Sequence, residues 1–158
     1  MARLNRVEFQ MRFKVQFNSV VRGHHIYKDD WTSKIGEILE AKKDTREEAV
    51  ANDKYAIGLY KGDKLVGHIP IEISRLSYHF LNESSENRIQ GVLIGKRTRK
   101  VCLVVPVEYA AATIDKVTTK IFLSELKKRK EKHLHFNLEI VNLEKNNCKT
   151  PMLTKKNS

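Results

Sequence analysis

The sequence contains little cysteine and no long apolar run. Cys102 and Cys148 are its only cysteines, and they are far apart with no paired spacing. This pattern fits a reduced intracellular protein better than a disulfide scaffold. No segment approaches the roughly 18 apolar residues of a membrane span, and the amino terminus lacks an apolar core followed by a cleavage site. We therefore expect a protein that is neither secreted nor inserted into a membrane.

The motifs of common catalytic and metal sites are missing as well. The seven glycines form no phosphate-binding loop, and no Ser or Cys has the pattern of a nucleophile on a strand-to-helix turn. The residues that could bind zinc have neither the C-x-x-C nor the H-x-x-x-H spacing of a closed site; they are His24, His25, Cys102, His133, His135 and Cys148. We expect no catalytic residue, no metal and no cofactor in this chain.

Positive charge is what the sequence has in excess. Its 30 Lys and Arg residues outnumber 19 Asp and Glu, which gives a formal net charge of +11 and an isoelectric point near 9.7. Such a balance predicts a polyanionic partner, either nucleic acid or an acidic membrane surface. Residues 1–109 carry 19 basic and 14 acidic side chains, whereas residues 110–158 carry 11 and 5. The C-terminal part is therefore the more basic per residue and is the candidate electrostatic anchor.

One short run in this C-terminal part concentrates the positive charge. It comprises Lys127, Lys128, Arg129 and Lys130. Runs of this type are typical of nuclear-import signals and of phosphate contacts. A solvated helix end explains the run equally well, because basic residues in a last turn complement the helix macrodipole. On the first interpretation, we expect the protein to be nuclear.

Alternating side chains predict a β-rich domain. Residues 7–17 alternate between apolar and polar without interruption, which predicts a long strand that continues through Val20 and Val21. The length and the 41% hydrophobic content allow one well-buried core, so a single domain with tails is expected. We expect further strands at 37–40, 89–94 and 101–107, and a polar loop at 42–52. Because Pro106 lies near the end of the last run, this strand should be an edge strand or stop there.

Residues 53–70 have the pattern of a β-hairpin, with a turn at 61–64 that contains Gly62. Pro70 cannot donate a backbone hydrogen bond, so the second strand should end by about His68 or Ile69. A paired hairpin would bring Asp53, at its start, and His68, at its end, to one rim of the sheet. Ordinary structural roles, a loop cap for Asp53 and a half-buried strand position for His68, are open at this point.

Two other segments have helical spacing. Apolar residues recur at intervals of three and four from Ile73 to Leu81, which predicts a short amphipathic helix that ends near Asn82. The same spacing predicts a second helix at 115–132, whose second half is strongly basic. The polar tail from Asn146 onward is expected to be loose.

Five motifs follow one another at plausible spacing. They are Val21-Arg22-Gly23-His24-His25-Ile26-Tyr27; Arg46-Glu47-Glu48 followed by Asn52-Asp53-Lys54-Tyr55-Ala56-Ile57; Val66-Gly67-His68-Ile69-Pro70; Ile73-Ser74-Arg75-Leu76 with Phe80-Leu81; and Gly91 with 101–109. Together they resemble the HIRAN domain family, over about residues 17–109. The resemblance implies a mainly β, α+β fold: a small OB-like β-barrel with one or two short helices, to which the basic C-terminal helix is added. In the best-understood members this barrel binds single-stranded DNA and holds its 3′-hydroxyl end.

The resemblance also implies roles for individual residues. Asp53 would accept a hydrogen bond from the terminal 3′-hydroxyl, and His68 would line the same pocket. His25 stands where the family often has an Arg that contacts the strand, and Tyr27 is one of its loop aromatics. The basic residues that would help to neutralise phosphates are Arg97, Arg99 and Lys100.

Two departures from the family pattern affect base stacking. Ile26 replaces a Tyr that the family uses for base stacking. Asn52 occupies a predicted nucleic-acid-binding position but replaces the aromatic residue that the family has just before Asp53. Each stacked base is worth about 1–3 kcal/mol, so the loss of two stacking platforms would weaken the binding of a DNA end.

We divide the chain into an N-terminal strand extension at 1–16, a HIRAN-like domain at 17–109, a basic helix at 110–135 and a polar tail at 136–158. The leading interpretation is a nucleic-acid-binding module for single-stranded DNA, or for its 3′-hydroxyl end, in DNA repair or remodelling. The first alternative is a protein-interaction module that keeps the barrel and has lost DNA-end recognition. The second is an accessory part of an ATP-dependent helicase or hydrolase whose catalytic domain is absent from this chain.

Overall fold

The computed structural model of the chain describes residues 13–23, 34–95, 98–99, 103–133, 136 and 138–145. The strands are β1 (Phe13–Val21), β2 (Ile38–Lys43), β3 (Ile57–Lys61), β4 (Lys64–His68), β5 (Arg88–Leu93), β6 (Thr98–Arg99), β7 (Leu103–Thr113) and β8 (Glu139–Lys145). The helices are α1 (Glu47–Asn52), α2 (Ile71–Glu83) and α3 (Lys116–Lys132).

The described strands pair antiparallel in the order β4-β3-β2-β5-β7-β1-β8, and β6 pairs with β7. Beyond the end of β1, Arg22 and His68 exchange two backbone hydrogen bonds, of 2.7 and 2.8 Å. This bridge connects β4, the first strand in the order, back to the end of β1, so the sheet curves round on itself. The fold is α+β and consistent with an OB-like fold, and the expected fold class is confirmed.

Aromatic rings join the sheet to the two longer helices in the core. Phe17 of β1 stacks on Tyr109 of β7, with ring centroids 5.3 Å apart. Phe122 of α3 contacts both Phe17, at 5.9 Å, and Phe80 of α2, at 4.9 Å. The Tyr109 ring is fully buried, and its hydroxyl donates to the carbonyl oxygen of Val20 at 2.8 Å, which satisfies its one polar atom. These contacts fix two strands and two helices relative to one another.

The predicted hairpin and both predicted helices are confirmed. β3 and β4 pair around a turn in which Gly62 has a φ of 64°, in the left-handed region that favours glycine. β4 ends at His68, and Pro70 caps the start of α2. The side chain of Asp115 accepts a hydrogen bond from the backbone N–H of Val117 and so caps the start of α3.

The prediction of a polar loop at 42–52 is wrong. β2 continues through Lys43, and α1 occupies the last six residues of this range. Two acidic residues in the first turn of α1 complement its macrodipole. This helix has six residues, of which only Ala49 is buried. It therefore lacks the repeated apolar residues from which a helix can be recognised in a sequence.

The prediction that the strand containing Pro106 is an edge strand or stops there is also wrong, since β7 runs through this residue to Thr113 and lies between β5 and β1. Pro106 lies opposite Val20 of β1, and on its other side its carbonyl oxygen accepts a hydrogen bond from the N–H of Ile94. In an antiparallel strand the N–H and C=O of one residue face the same neighbour. A backbone N–H at position 106 would therefore point towards Ile94. The regular pairing of β7 with β5 has already stopped at Leu93, so the missing N–H of Pro106 interrupts no ladder.

A strand lies within the range predicted to be a polar tail. β8 pairs with β1, from Phe13 opposite Lys145 to Asn18 opposite Glu139, with an irregularity between Gln16 and Phe17. Its apolar residues do not alternate regularly, which is why the pattern predicts no strand there. The first six residues of the predicted first strand, 7–12, lie outside the described residues.

Candidate functional site

The candidate site is a cleft of about 330 Å³ beside α1, at the place where β1 and β4 meet. Arg22, Arg46, Asn52 and His68 are among the residues that line it. The two strands approach closely because Gly67 has no side chain: a Cβ there would overlap Val21 Cγ1 and lie 3.1 Å from the carbonyl oxygen of Arg22. The glycine before His68 thus sets the wall of the cleft.

Asp44 connects two residues of the cleft wall from beneath. Its carboxylate is fully buried and receives two side-chain hydrogen bonds of 2.9 Å from Arg46, one to each oxygen. Its Oδ2 also lies 2.7 Å from Nε2 of His68. This bidentate pairing, with the histidine as a third partner, holds a guanidinium and an imidazole in fixed positions.

These surroundings keep Asp44 ionised and favour a neutral His68. Burial by itself would raise the pKa of the Asp44 carboxyl, but the hydrogen bonds from Arg46 and His68 outweigh it and lower the pKa to about 2. Burial lowers the pKa of His68 below its ordinary value of 6.5, despite the opposing effect of the Asp44 hydrogen bond. Because an ionised carboxylate can only accept, His68 donates to it from Nε2, which fixes the tautomer of the ring.

Asp53 lies at the end of α1 with 7% of its side chain exposed. Its Oδ1 accepts a hydrogen bond of 2.9 Å from the backbone N–H of Tyr55. Its Oδ2 is buried and receives no hydrogen bond from the described part of the chain, while Nη2 of Arg22 lies 3.7 Å away. A buried acceptor without a donor is uncommon and costs about 1–3 kcal/mol. This oxygen therefore has an unused capacity to accept a hydrogen bond.

Arg22 connects Asp53 and His68, the two principal residues of the predicted site. Arg22 bonds to His68 through the backbone and lies beside Asp53 through its side chain. Its Nε also donates to the carbonyl oxygen of Ile69 at 3.1 Å, which orients the guanidinium. Asn52 lines the same cleft, is exposed, and donates from its amide to the carbonyl oxygen of Glu48 at 3.3 Å.

Several predicted residues cannot be placed in this cleft. His25, Tyr27, Arg97 and Lys100 lie outside the described residues. Arg99 belongs to β6, where its backbone pairs with that of Leu103.

The basic run is on α3. Two of its four residues pair within the helix, since Lys128 and Arg129 lie 3.3 and 2.9 Å from the carboxylate of Glu125. The hydrogen bond from Lys128 is the main cause that lowers the pKa of Glu125. Lys127 and Lys130 are exposed.

Sequence reasoning did not assign Arg22, Asp44 and Arg46 to the site. Arg22 and Arg46 both occur in the motifs that resemble the HIRAN family, so a signal for them was present. Asp44 has no local signal, because its partner His68 lies 24 residues further along the chain. Among the described residues, no group of three or more His, Cys, Asp or Glu side chains could hold a metal ion.

In the part of the chain that the structure describes, the antiparallel sheet, the three helices and the Arg22–His68 bridge define an α+β protein whose fold is consistent with the OB-like type. Comparison with solved structures shows similarity to the crystal structure of the HIRAN domain of human HLTF, with a TM-score of 0.57 and 17% sequence identity, over 75% of this chain and 93% of that chain. The resemblance indicated by the sequence motifs is thereby confirmed at the level of the fold. No protein-family model matches the chain, and the comparison with curated proteins finds no match. No helix in the part of the chain that the structure describes is long and apolar enough to cross a membrane.

Proposed function

We propose that this chain is a nucleic-acid-binding module whose cleft receives the 3′-hydroxyl end of single-stranded DNA. The observation that carries the proposal is Oδ2 of Asp53, a buried acceptor that has no donor among the described residues. A terminal hydroxyl supplies such a donor, and a carboxylate is a strong acceptor for it. A strand that ends in a phosphate would instead place negative charge against the carboxylate.

The guanidinium of Arg22, which lines the cleft, suits a phosphate that precedes the terminal hydroxyl. The 3.7 Å between Nη2 of Arg22 and Oδ2 of Asp53 exceeds the length of a hydrogen bond, so Arg22 keeps donors for a phosphate oxygen. The net charge of +11 would attract the strand over a longer range. Binding through phosphates releases counterions, so the affinity should fall steeply with salt.

The cellular context is part of the same proposal. The HIRAN-like fold and the motifs together support a role in DNA repair or remodelling, performed by binding and without chemistry in this chain. The exposed Lys127 and Lys130 suit recognition by an import receptor, and we infer a nuclear location on that basis.

The proposal is tested by fluorescence anisotropy with one single strand that carries either a 3′-hydroxyl or a 3′-phosphate. The wild type should prefer the hydroxyl by about 10- to 150-fold, as for one hydrogen bond to a charged group. Asp53→Asn should strongly reduce the preference, because a neutral amide oxygen accepts the hydroxyl more weakly than a carboxylate and does not repel a terminal phosphate. Asp63→Asn, in the exposed turn of the hairpin, is the matched control for the charge and should leave the preference intact.

Equal binding of both ends by the wild type, with no effect of Asp53→Asn, would refute the capture of a 3′ end. A salt-dependent signal without end preference would leave general nucleic-acid binding. The absence of any binding signal at low salt would favour the alternative function, a protein-interaction module. The exposed Asn52, which stands in place of an aromatic residue, also favours this alternative.

A further inference from the structure

A second group of aromatic and basic side chains lies close to the cleft. We call it the tyrosine patch; it consists of Tyr55, Tyr78, His79, Lys43, Lys54 and Arg75. The ring of Tyr55 lies 5.3 Å from that of Tyr78 and 5.5 Å from that of His79, measured between centroids. Tyr78 and His79 are in turn 5.8 Å apart, edge to face. His79 is exposed and the two tyrosines are half-buried.

Three cations are held against these rings. Lys54 and Arg75 lie 5.3 and 5.5 Å from the centroid of Tyr55, and Lys43 lies 5.4 Å from that of Tyr78. All three are exposed, and no carboxylate of the described residues forms an ion pair with them. The contrast is with cations such as Arg88, which pairs with Glu40. The patch therefore presents uncompensated positive charge in positions that aromatic contacts have restricted.

The backbone connects the patch directly to the cleft. Lys43 precedes Asp44, the buried carboxylate beneath the cleft wall. Tyr55 follows Asp53 by two residues and donates its backbone N–H to Oδ1 of that residue. A ligand with one end beside Asp53 therefore needs only a short extension to reach Tyr55.

We propose that the tyrosine patch binds the segment of single-stranded nucleic acid that leads away from the cleft. Arg75 and Lys54 contact successive phosphates, and the exposed ring of His79 provides a stacking surface for a base. The combination of planar rings and cations that form no ion pair with a described carboxylate fits a polyanion that carries aromatic groups. The inference rests on the proposed function for the class of ligand, and it makes the binding site longer than the cleft.

The test compares two lengths of single strand, about four and about twelve nucleotides, within the range of site sizes known for OB-folds. Each length is prepared with a 3′-hydroxyl and with a 3′-phosphate, and binding is measured as a function of salt. The variant is the double substitution Lys54→Ala with Arg75→Ala, both on exposed side chains. Lys120→Ala, an exposed lysine of α3, is the control for loss of positive charge away from the patch.

The wild type should bind the longer strand more tightly than the shorter one, with either a 3′-hydroxyl or a 3′-phosphate. The double variant should lose most of this difference in affinity. For two phosphate contacts, the slope of log affinity against log salt should fall by about 1.4 in the longer strand and stay unchanged in the shorter one. The effect of strand length and the preference for a 3′-hydroxyl are separate measurements. The proposed role of the tyrosine patch and the proposed capture of a 3′ end can therefore be refuted independently. Affinity independent of length, or equal losses for both lengths, overturns the role of the patch. The role of the patch is also overturned if the double variant loses no more affinity than the control Lys120→Ala.

Discussion

His68 and Asp44 hold each other in the charge states that the cleft requires. Arg46 neutralises the buried carboxylate, and the carboxylate in turn orients the imidazole. The result is a rigid wall in which His68 is neutral near physiological pH, because burial lowers its pKa. Removing Asp44 would remove the contact that orients both the guanidinium of Arg46 and the ring of His68.

The lowered pKa of His68 predicts a pH dependence of stability. In the unfolded chain His68 takes up a proton near its ordinary pKa of 6.5, whereas the folded chain does so only at lower pH. The unfolded state therefore binds more protons in that interval, and the free energy of unfolding should fall as the pH decreases below 6.5, by up to about 1.4 kcal/mol per pH unit. Urea unfolding at a series of pH values measures this slope.

The variant for this experiment is His68→Gln, whose side-chain amide can still donate to Asp44. It should be less stable than the wild type at neutral pH but should lack the decline that begins below pH 6.5. His79→Gln removes an exposed histidine and should retain the decline. A profile for His68→Gln parallel to that of the wild type would mean that another group titrates.

At the scale of elements, the site depends on how closely β4 approaches β1. Gly67 permits that approach, and the Arg22–His68 bridge is its result. The bridge lies at the end of β1 and not inside a long ladder, and among the described residues two backbone hydrogen bonds join Arg22 to His68 at this corner of the sheet. A small change in packing there should affect the cleft before it affects the rest of the fold.

Gly67→Ala should destabilise the protein by about 1–3 kcal/mol, because its Cβ would overlap Val21 Cγ1. Val21→Ala removes the colliding methyl groups, so Gly67→Ala should cost clearly less in that background. Urea unfolding of the two single variants and the double variant measures this coupling. Additive effects would show that the clash with Val21 is not the cause.

Local patterns predicted the elements that local chemistry determines. The hairpin followed from Gly62 and Pro70, and α3 followed from the helical spacing of its apolar residues. The short α1 and the passage of β7 through Pro106 could not be predicted in this way. Whether a strand tolerates Pro106 depends on where β5 stops pairing, which is a property of the assembled sheet. The Asp44–His68 pair is missed for the same reason, since it forms only after β2 and β4 are in place.

At the scale of the whole molecule, the C-terminal part belongs to the sheet. β8 pairs along β1, and the buried Leu138 precedes it. The basic helix α3 contributes Phe122 and Leu126 to the core, so it is more than a charged attachment. The apolar residues of α3 could be predicted from the sequence, but their packing partners, which come from β1 and α2, could not.

This arrangement predicts the result of truncation. A chain that ends at residue 145 should retain the stability of the full chain, whereas one that ends at residue 132 should lose several kcal/mol, because it exposes an edge of β1 and uncovers part of the core. Thermal unfolding and the concentration dependence of light scattering compare the two. Equal stability and solubility would show that β8 contributes nothing to the folded state.

The position of β1 also has a consequence for synthesis in the cell. This strand leaves the ribosome well before both of its neighbours, β7 and β8, which come from residues 103 and beyond. At usual rates of translation the nascent chain must wait roughly 5 to 20 s for the first of them. During that time an alternating apolar strand has two unpaired edges, and contacts of such long sequence separation form slowly even afterwards. The nascent chain should therefore depend on chaperones that shield β1 until β7 arrives.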